Sequence, residues 1–171
     1  MENSEPFIYA SDTVSVSSFL TTENRHELIE KIYLDLNKSQ KQISSRFFYD
    51  DRGSELFEEI TMLPEYYPTR TEKGILQKNA GTIMGNFNGI DIIELGSGDC
   101  SKISLLLDTI PKPDLRKVRY IPVDVSEAAV IKSAELLSYK YPGLQIRGVL
   151  ADFMKHLDAL PGNSPRLICF F

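Results

Sequence analysis

Two rhythms of apolar residues divide the chain near residue 88. Before it the spacing is helical. Ile29, Ile32, Tyr33 and Leu36 stand at i, i+3, i+4 and i+7, which predicts a helix over 26–37. Leu56, Phe57 and Ile60 share one face of a shorter helix over 54–61, entered after Gly53. Residues 63–70 read as a loop, because Pro64 and Pro68 disfavour helix on either side. Thr69 followed three residues later by Glu72 spells a capping box, so the next helix is expected over 70–84. Residues 1–20 are mixed in character and are expected to be loosely held.

After the turn-forming residues 85–89 the pattern becomes short apolar runs separated by helical stripes. Ile90, Ile92, Ile93 and Leu95 mark a buried strand over 90–95, followed by Gly96-Ser97-Gly98 and a helix with Ile103, Leu106, Leu107 and Ile110 on one stripe. Further strands are expected over 117–123, 144–150 and 166–171. Between them lie a helix over 126–141, capped by Ser126 and stopped by Pro142-Gly143, and a short helix over 152–160. Strands alternating with helices predict a parallel sheet covered by helices. The expected division is therefore a helical N-terminal segment, 1–88, and an α/β core, 89–171. The chain stops inside the apolar strand 166–171, where a loop and covering helix are expected, so the sequence reads as truncated. That strand would present an apolar edge, a surface for dimerisation or aggregation.

Composition narrows the class of partner. With 171 residues, 42% of them hydrophobic, the chain can bury a core of its own. A formal net charge of −5, with no dense block of Lys or Arg, argues against nucleic acid. No apolar run reaches membrane-spanning length, and Met1-Glu2-Asn3-Ser4-Glu5 is not the start of a signal peptide, so a cytoplasmic protein without membrane association is expected. Cys100 and Cys169 are too far apart in sequence to form a metal-ligand pair, and free thiols are expected there; no metal site is predicted.

The chemistry concentrates at strand ends. The glycines of Gly96-Ser97-Gly98 let backbone approach a ligand and turn N–H groups toward an anion. A dinucleotide fingerprint needs a third glycine where Ser101 stands, which counts against a pyrophosphate ligand. Lys102 in the first turn of the following helix opposes the helix dipole unless an anion binds there, unless it is simply a solvated surface lysine. Asp124 ends the second predicted strand, where a carboxylate can accept hydrogen bonds from both ribose hydroxyls; it can equally serve as an acid at the start of the helix that follows. Asp152 ends the third, placed to reach an adenine amine, with Phe153 beside it to pack on the ring or in the core.

The run Phe48-Tyr49-Asp50-Asp51-Arg52-Gly53-Ser54-Glu55-Leu56-Phe57 and the later Leu63-Pro64-Glu65-Tyr66-Tyr67-Pro68-Thr69-Arg70-Thr71-Glu72 resemble the signature of the histidine-specific S-adenosylmethionine-dependent methyltransferases, which include the hercynine-forming enzyme of ergothioneine biosynthesis. The likeness continues through Glu94-Leu95-Gly96-Ser97-Gly98, 122–126 and 148–153, covering about 45–171. It implies a Rossmann-like methyltransferase sheet, here running only to its fourth predicted strand. It implies S-adenosylmethionine held by Glu94, Gly96, Ser97, Gly98, Lys102, Asp124, Asp152 and Phe153. It also implies that Tyr49, Phe57 and Tyr66 line the pocket of a small amino-acid substrate, with Tyr66 bonding its carboxylate; read from the residues alone, these aromatics are as well explained by packing. The implied reaction is methylation of the α-amine of histidine or a related amino acid. No catalytic base is assigned, and the family's segment after this strand, which grips the substrate, has no counterpart here. An NAD-dependent oxidoreductase and a non-catalytic cofactor-binding module are the competing readings.

Overall fold

The computed structural model describes residues 7–20, 25–48, 51–85, 89–160 and 164–171. They form two compact units, residues 1–20 with 67–171, and residues 21–66. The helix before residue 88 groups with the sheet, and so do residues near the N-terminus.

The larger unit holds a six-stranded sheet. Its strands are β1 (Phe7–Ala10), β2 (Val14–Ser18), β3 (Ile90–Leu95), β4 (Val118–Asp124), β5 (Gln145–Leu150) and β6 (Arg166–Cys169), in the order β1-β2-β5-β4-β3-β6. Only β1 runs antiparallel to its neighbour, and the other five strands are parallel. The predicted α/β class holds, and the four strands read from the sequence are present. Residues 7–18, expected to be loose, are a correction. Val14 and Val16 are buried on β2, which pairs with β5 over 14–18 against 146–150 and so draws its order from a partner far along the chain.

Helices α3 (Pro68–Met84), α4 (Ser101–Leu107) and α5 (Glu127–Lys140) belong to this unit. Successive strand side chains point to opposite faces, and one face carries Ile90, Ile92, Val118, Tyr120 and Ile146. These pack with Leu76, Ala80 and Met84 of α3, Ile103, Leu106 and Leu107 of α4, and Ala134 and Leu137 of α5. The opposite face carries Ile93, Ile121, Val123, Val149 and Ala151, with Phe19, Leu95, Phe153 and Leu160 against them. Burial on both faces explains why β3 reads as a near-continuous apolar run. Two acids interrupt it, Glu94 and Asp91; Asp91 is 3% exposed, and both its oxygens accept from the Arg119 guanidinium of β4, at 2.9 and 2.6 Å.

Two local expectations fail. Pro68 occupies the first turn of α3, and the helix has no side-chain cap, so Thr69 and Glu72 do not form a capping box. Residues 152–160 form a turn and a single 3-10 turn, Leu157–Ala159, instead of a helix. The Asp152 side chain and carbonyl accept the N–H groups of Met154, Lys155 and His156, which closes a turn in place of a helical ladder. By contrast Ser126 caps α5 as expected, its Oγ accepting from Ala129 N at 3.2 Å.

The smaller unit contains α1 (Arg25–Leu36), a 3-10 turn at Ser45–Phe48 and α2 (Asp51–Met62). The predicted stripes are there, but Ile29, Tyr33 and Leu36 of α1 and Leu56, Phe57 and Ile60 of α2 are exposed. Among the described residues no helix is long and apolar enough to cross a membrane.

Gly148 fixes how closely α5 lies on the sheet. A Cβ there would stand 2.6 Å from Val130 Cγ1 and 3.0 Å from Val16 Cγ2. Valine side chains are stiff at χ1 and cannot swing aside. Gly148→Ala should therefore destabilise the chain by about 1–3 kcal/mol, the usual cost of overpacking. Urea unfolding measures it, and an unchanged midpoint would mean that α5 can lift from β5 freely.

Candidate functional site

Parallel strands place their carboxyl ends on one edge, and the polar residues predicted from sequence meet there. β3 ends at Leu95, β4 at Asp124 and β5 at Leu150, with Leu95 opposite Val123 and Asp124 opposite Leu150. The chain leaves β3 through Gly96 at φ 70° and Gly98 at φ 40°, left-handed conformations that side chains rarely adopt. Three bonds pin the turn. Gly96 N–H donates to Val123 O at 2.8 Å, Gly98 N–H to Asp124 Oδ2 at 3.4 Å, and Ser133 Oγ of α5 to Gly98 O at 3.2 Å.

Asp124 serves as the acid at the start of α5. Its Oδ1 accepts from Ser126 N at 3.0 Å, a bond at the head of α5, while the other oxygen faces the glycine turn and the residue stays half-buried. Asp152 stands just past β5, with its side chain bonded to Met154 N and 3.6 Å from Lys155 Nζ. Phe153 is half-buried against Ile93, Val123 and Val149 and meets Phe170 edge-on at 5.7 Å, so its packing role is real.

Lys102 is not a freely solvated lysine. Its ammonium lies 2.6 Å from Glu72 of α3 and 5.5 Å from the centre of the Phe171 ring. Glu72, read from sequence as half of a cap, instead pairs with Lys102.

Ser97 and Glu94 are the least accessible of the group. Ser97 is 1% exposed, and its Oγ has no hydrogen-bond partner among the described residues. A buried hydroxyl without a partner is costly. A Cβ built on Gly96 would meet nothing within 4 Å, which leaves that side of the turn open. Glu94 is buried on the helix-facing side of β3, and Tyr120 of β4 donates to its Oε2 at 2.5 Å. Loss of solvent pushes the Glu94 carboxyl up to about 8 against the Tyr120 hydrogen bond, which favours the anion. Tyr120 was missed in the sequence, though a phenol inside an apolar strand signals a buried hydroxyl in search of a partner. Cys169, opposite Glu94 on β6, is likewise pushed up to about 12 by burial.

Of the residues expected to line an amino-acid pocket, Phe57 and Tyr66 stand together in the smaller unit, edge to face at 6.1 Å and 81°. Tyr49 lies outside the described residues.

Comparison with known proteins identifies the family. Residues 28–171 match the family described as histidine-specific, SAM-dependent methyltransferases. The chain is 38% identical over 160 residues to the histidine N-alpha-methyltransferase of Mycolicibacterium smegmatis, covering 92% of this chain and 49% of that protein. It is 36% identical over 159 residues to the protein of the same name from Mycobacterium tuberculosis, with the same coverage. It is also 37% identical over 134 residues to ergothioneine biosynthesis protein 1 of Neurospora crassa, covering 75% of this chain and 15% of that protein. The chain spans about half the length of the first two.

The buried carboxyl makes stability depend on pH in a stated direction. Glu94 holds its proton in the folded chain up to about 8, against 4.5 ordinarily. The folded state therefore binds more protons than the unfolded one between these values. The stabilisation is fully present below 4.5 and is lost as pH rises toward 8. Glu94→Gln, a neutral mimic of the protonated acid, should flatten that part of the thermal-unfolding profile. Parallel profiles for the two proteins would mean that Glu94 is ionised throughout.

Proposed function

The chain belongs to the family of histidine-specific, S-adenosylmethionine-dependent methyltransferases, and from that premise we propose that its sheet edge binds S-adenosylmethionine for methylation of the α-amine of histidine or a related amino acid. The observation that carries the reading is the convergence of Gly96-Ser97-Gly98, Asp124 and Asp152 on one edge, with a buried, unpartnered hydroxyl at its centre.

The residues divide the task by chemistry. Asp124 offers carboxylate oxygens to a ribose diol, and Asp152 with Phe153 offers an acceptor and a ring face to adenine. Ser97 Oγ suits the amino-acid end of the cofactor, and Lys102, shared with Glu72, suits its carboxylate. When bound, S-adenosylmethionine supplies a methyl on a sulfonium that a neutral amine displaces in line. The protein's part is then to orient and to exclude water, with no covalent intermediate. We assign Tyr49, Phe57 and Tyr66 to the amino-acid substrate. The same reading places the protein in the cytoplasm, with Cys100 and Cys169 as free thiols. It places self-association at the β6 edge, where Ile168 is exposed.

Asp124 gives the first test. Asp124→Asn keeps an acceptor for the Ser126 N–H, gives up only the long 3.4 Å bond from Gly98 N–H, and removes the charge that two ribose hydroxyls would share. S-adenosylhomocysteine should bind the variant more weakly by about 1–3 kcal/mol in calorimetry, with thermal stability of the ligand-free chain little changed. Equal affinity would remove Asp124 from the site.

Tyr66 gives the second, in a full-length enzyme. Tyr66→Phe keeps the ring against Phe57 and deletes only the hydroxyl. Loss of a hydrogen bond to a charged carboxylate costs about 1.5–3 kcal/mol, or roughly tenfold or more in kcat/KM for the amino acid, with cofactor affinity held. Kinetics within about twofold of wild type would leave Tyr66 a packing residue.

A further inference from the structure

Tyr120 is fully buried, 0% exposed, on a strand whose other inward positions are aliphatic. Its hydroxyl must find a partner inside the protein, and the register decides which one. Ile92 of β3 lies directly opposite Tyr120, and Glu94 follows two residues later on the same face. The phenol therefore reaches diagonally along the sheet, toward the carboxyl edge, and ends on Glu94 Oε2 at 2.5 Å. This ties the last inward-facing side chain of β3 to the middle of β4, just behind the glycine turn.

The groups that face Glu94 come from every neighbouring element. β4 contributes Tyr120 and Asp124, the turn contributes Asp99 and Cys100, α4 contributes Lys102, and β6 contributes Cys169. Asp99 and Asp124 disfavour a second negative charge, and the single cation, Lys102, already pairs with Glu72 of α3. A carboxylate at Glu94 thus lacks a cation of its own. A ligand carrying an ammonium group would bring one.

We propose that Tyr120 is a positioning residue: its hydroxyl holds the buried Glu94 carboxyl behind the glycine turn in the orientation that receives the ammonium group of a bound adenosyl amino acid, in exchange for the carboxyl's proton. The inference rests on the cofactor reading given above and extends it to a residue that contacts no ligand. The step balances simply. The Glu94 O–H breaks, its proton passes to bulk water, and the positive charge it carried is replaced by the ligand's ammonium. Tyr120 keeps donating throughout and gives up no proton, since burial and the neighbouring Glu94 raise its own ionisation well above the usual tyrosine range.

The experiment uses the whole chain with S-adenosylhomocysteine as probe. Ligand-free protein near neutral pH should show the infrared carbonyl band of a protonated carboxyl, absent in Glu94→Gln and titrating near 8. In Tyr120→Phe the midpoint should move upward, because a hydrogen bond that favours the anion is gone. Calorimetry in buffers of different ionisation heat should find about one proton released per ligand bound, with affinity rising by up to tenfold per pH unit below the midpoint. In Tyr120→Phe affinity near neutral pH should fall roughly tenfold and recover as pH rises, whereas in Glu94→Gln the pH dependence should vanish. A tyrosine that only fills space would change the unfolding temperature and leave proton count and pH profile at wild-type values, which would overturn the proposal. Ligand binding by wild type without proton release would overturn it as well. Absence of any binding would instead refute the cofactor reading, and the infrared titration would still decide whether Tyr120 governs Glu94.

Discussion

Parallel pairing of β3 with β4, and of β4 with β5, is the constraint from which the rest of this structure follows. Strands that run the same way end on the same side, so three loops separated by dozens of residues are delivered to one edge. The pairing also buries both faces of the central strands, and that forbids solvated polar side chains along their length. Asp91 is admitted because Arg119 meets it with two bonds in register at the amino end. Such a pair contributes little net stability against its desolvation, but it opposes any slip of β3 along β4, since a slip would strand a buried charge. The polar anchor at one end and the functional residues at the other thus answer the same question of register.

At the carboxyl edge the balance of charge is lopsided. Glu94, Asp99, Asp124 and Asp152 gather near the strand ends, with Lys102 and Lys155 as the cations described there, each already engaged by a carboxylate. An edge of this kind repels phosphate and favours a ligand with positive charge. The same conclusion follows independently from Ser101, which fills the position where a dinucleotide turn needs a third glycine and which instead donates its N–H to Asp99 Oδ1 at 3.0 Å. Charge and turn geometry both point away from a pyrophosphate.

Much of this was legible from local pattern. The strand–glycine–helix unit, the Ser126 cap and the strand-end aspartates are set by a few consecutive residues, and each was placed correctly. What was not legible depends on partners distant in sequence. Val and Ser alternate over 14–17, a half-buried strand in miniature, yet the five residues of β2 are too few to outweigh a loop until β5 is seen beside them. Glu72 matches a cap by spacing, but Pro68 starts the helix and Lys102 claims the carboxylate. Asp152 looks like the start of a helix, and its own side chain closes a turn that prevents one. Tyr120 is the extreme case: only the register of β3 on β4 reveals that its hydroxyl reaches the functional edge.

The position of Glu94 shows why a site residue here is also a stability residue. A carboxyl buried at the end of a strand must either stay protonated or acquire a counter-charge. A leucine at 94 would pack on the helix-facing side without either requirement, alongside Ile92 and Ile103. On the proposal above the counter-charge comes from a ligand, beside the open side of Gly96 and the Ser97 hydroxyl. The ligand-free chain then carries unmet polar demand concentrated at one turn, and binding supplies at once the hydrogen bond and the charge that the fold leaves out. Such a ligand binds the folded chain and not the unfolded one, so it stabilises the fold in proportion to its own affinity. The cost of burying an acid at this edge then becomes selectivity for a cationic ligand.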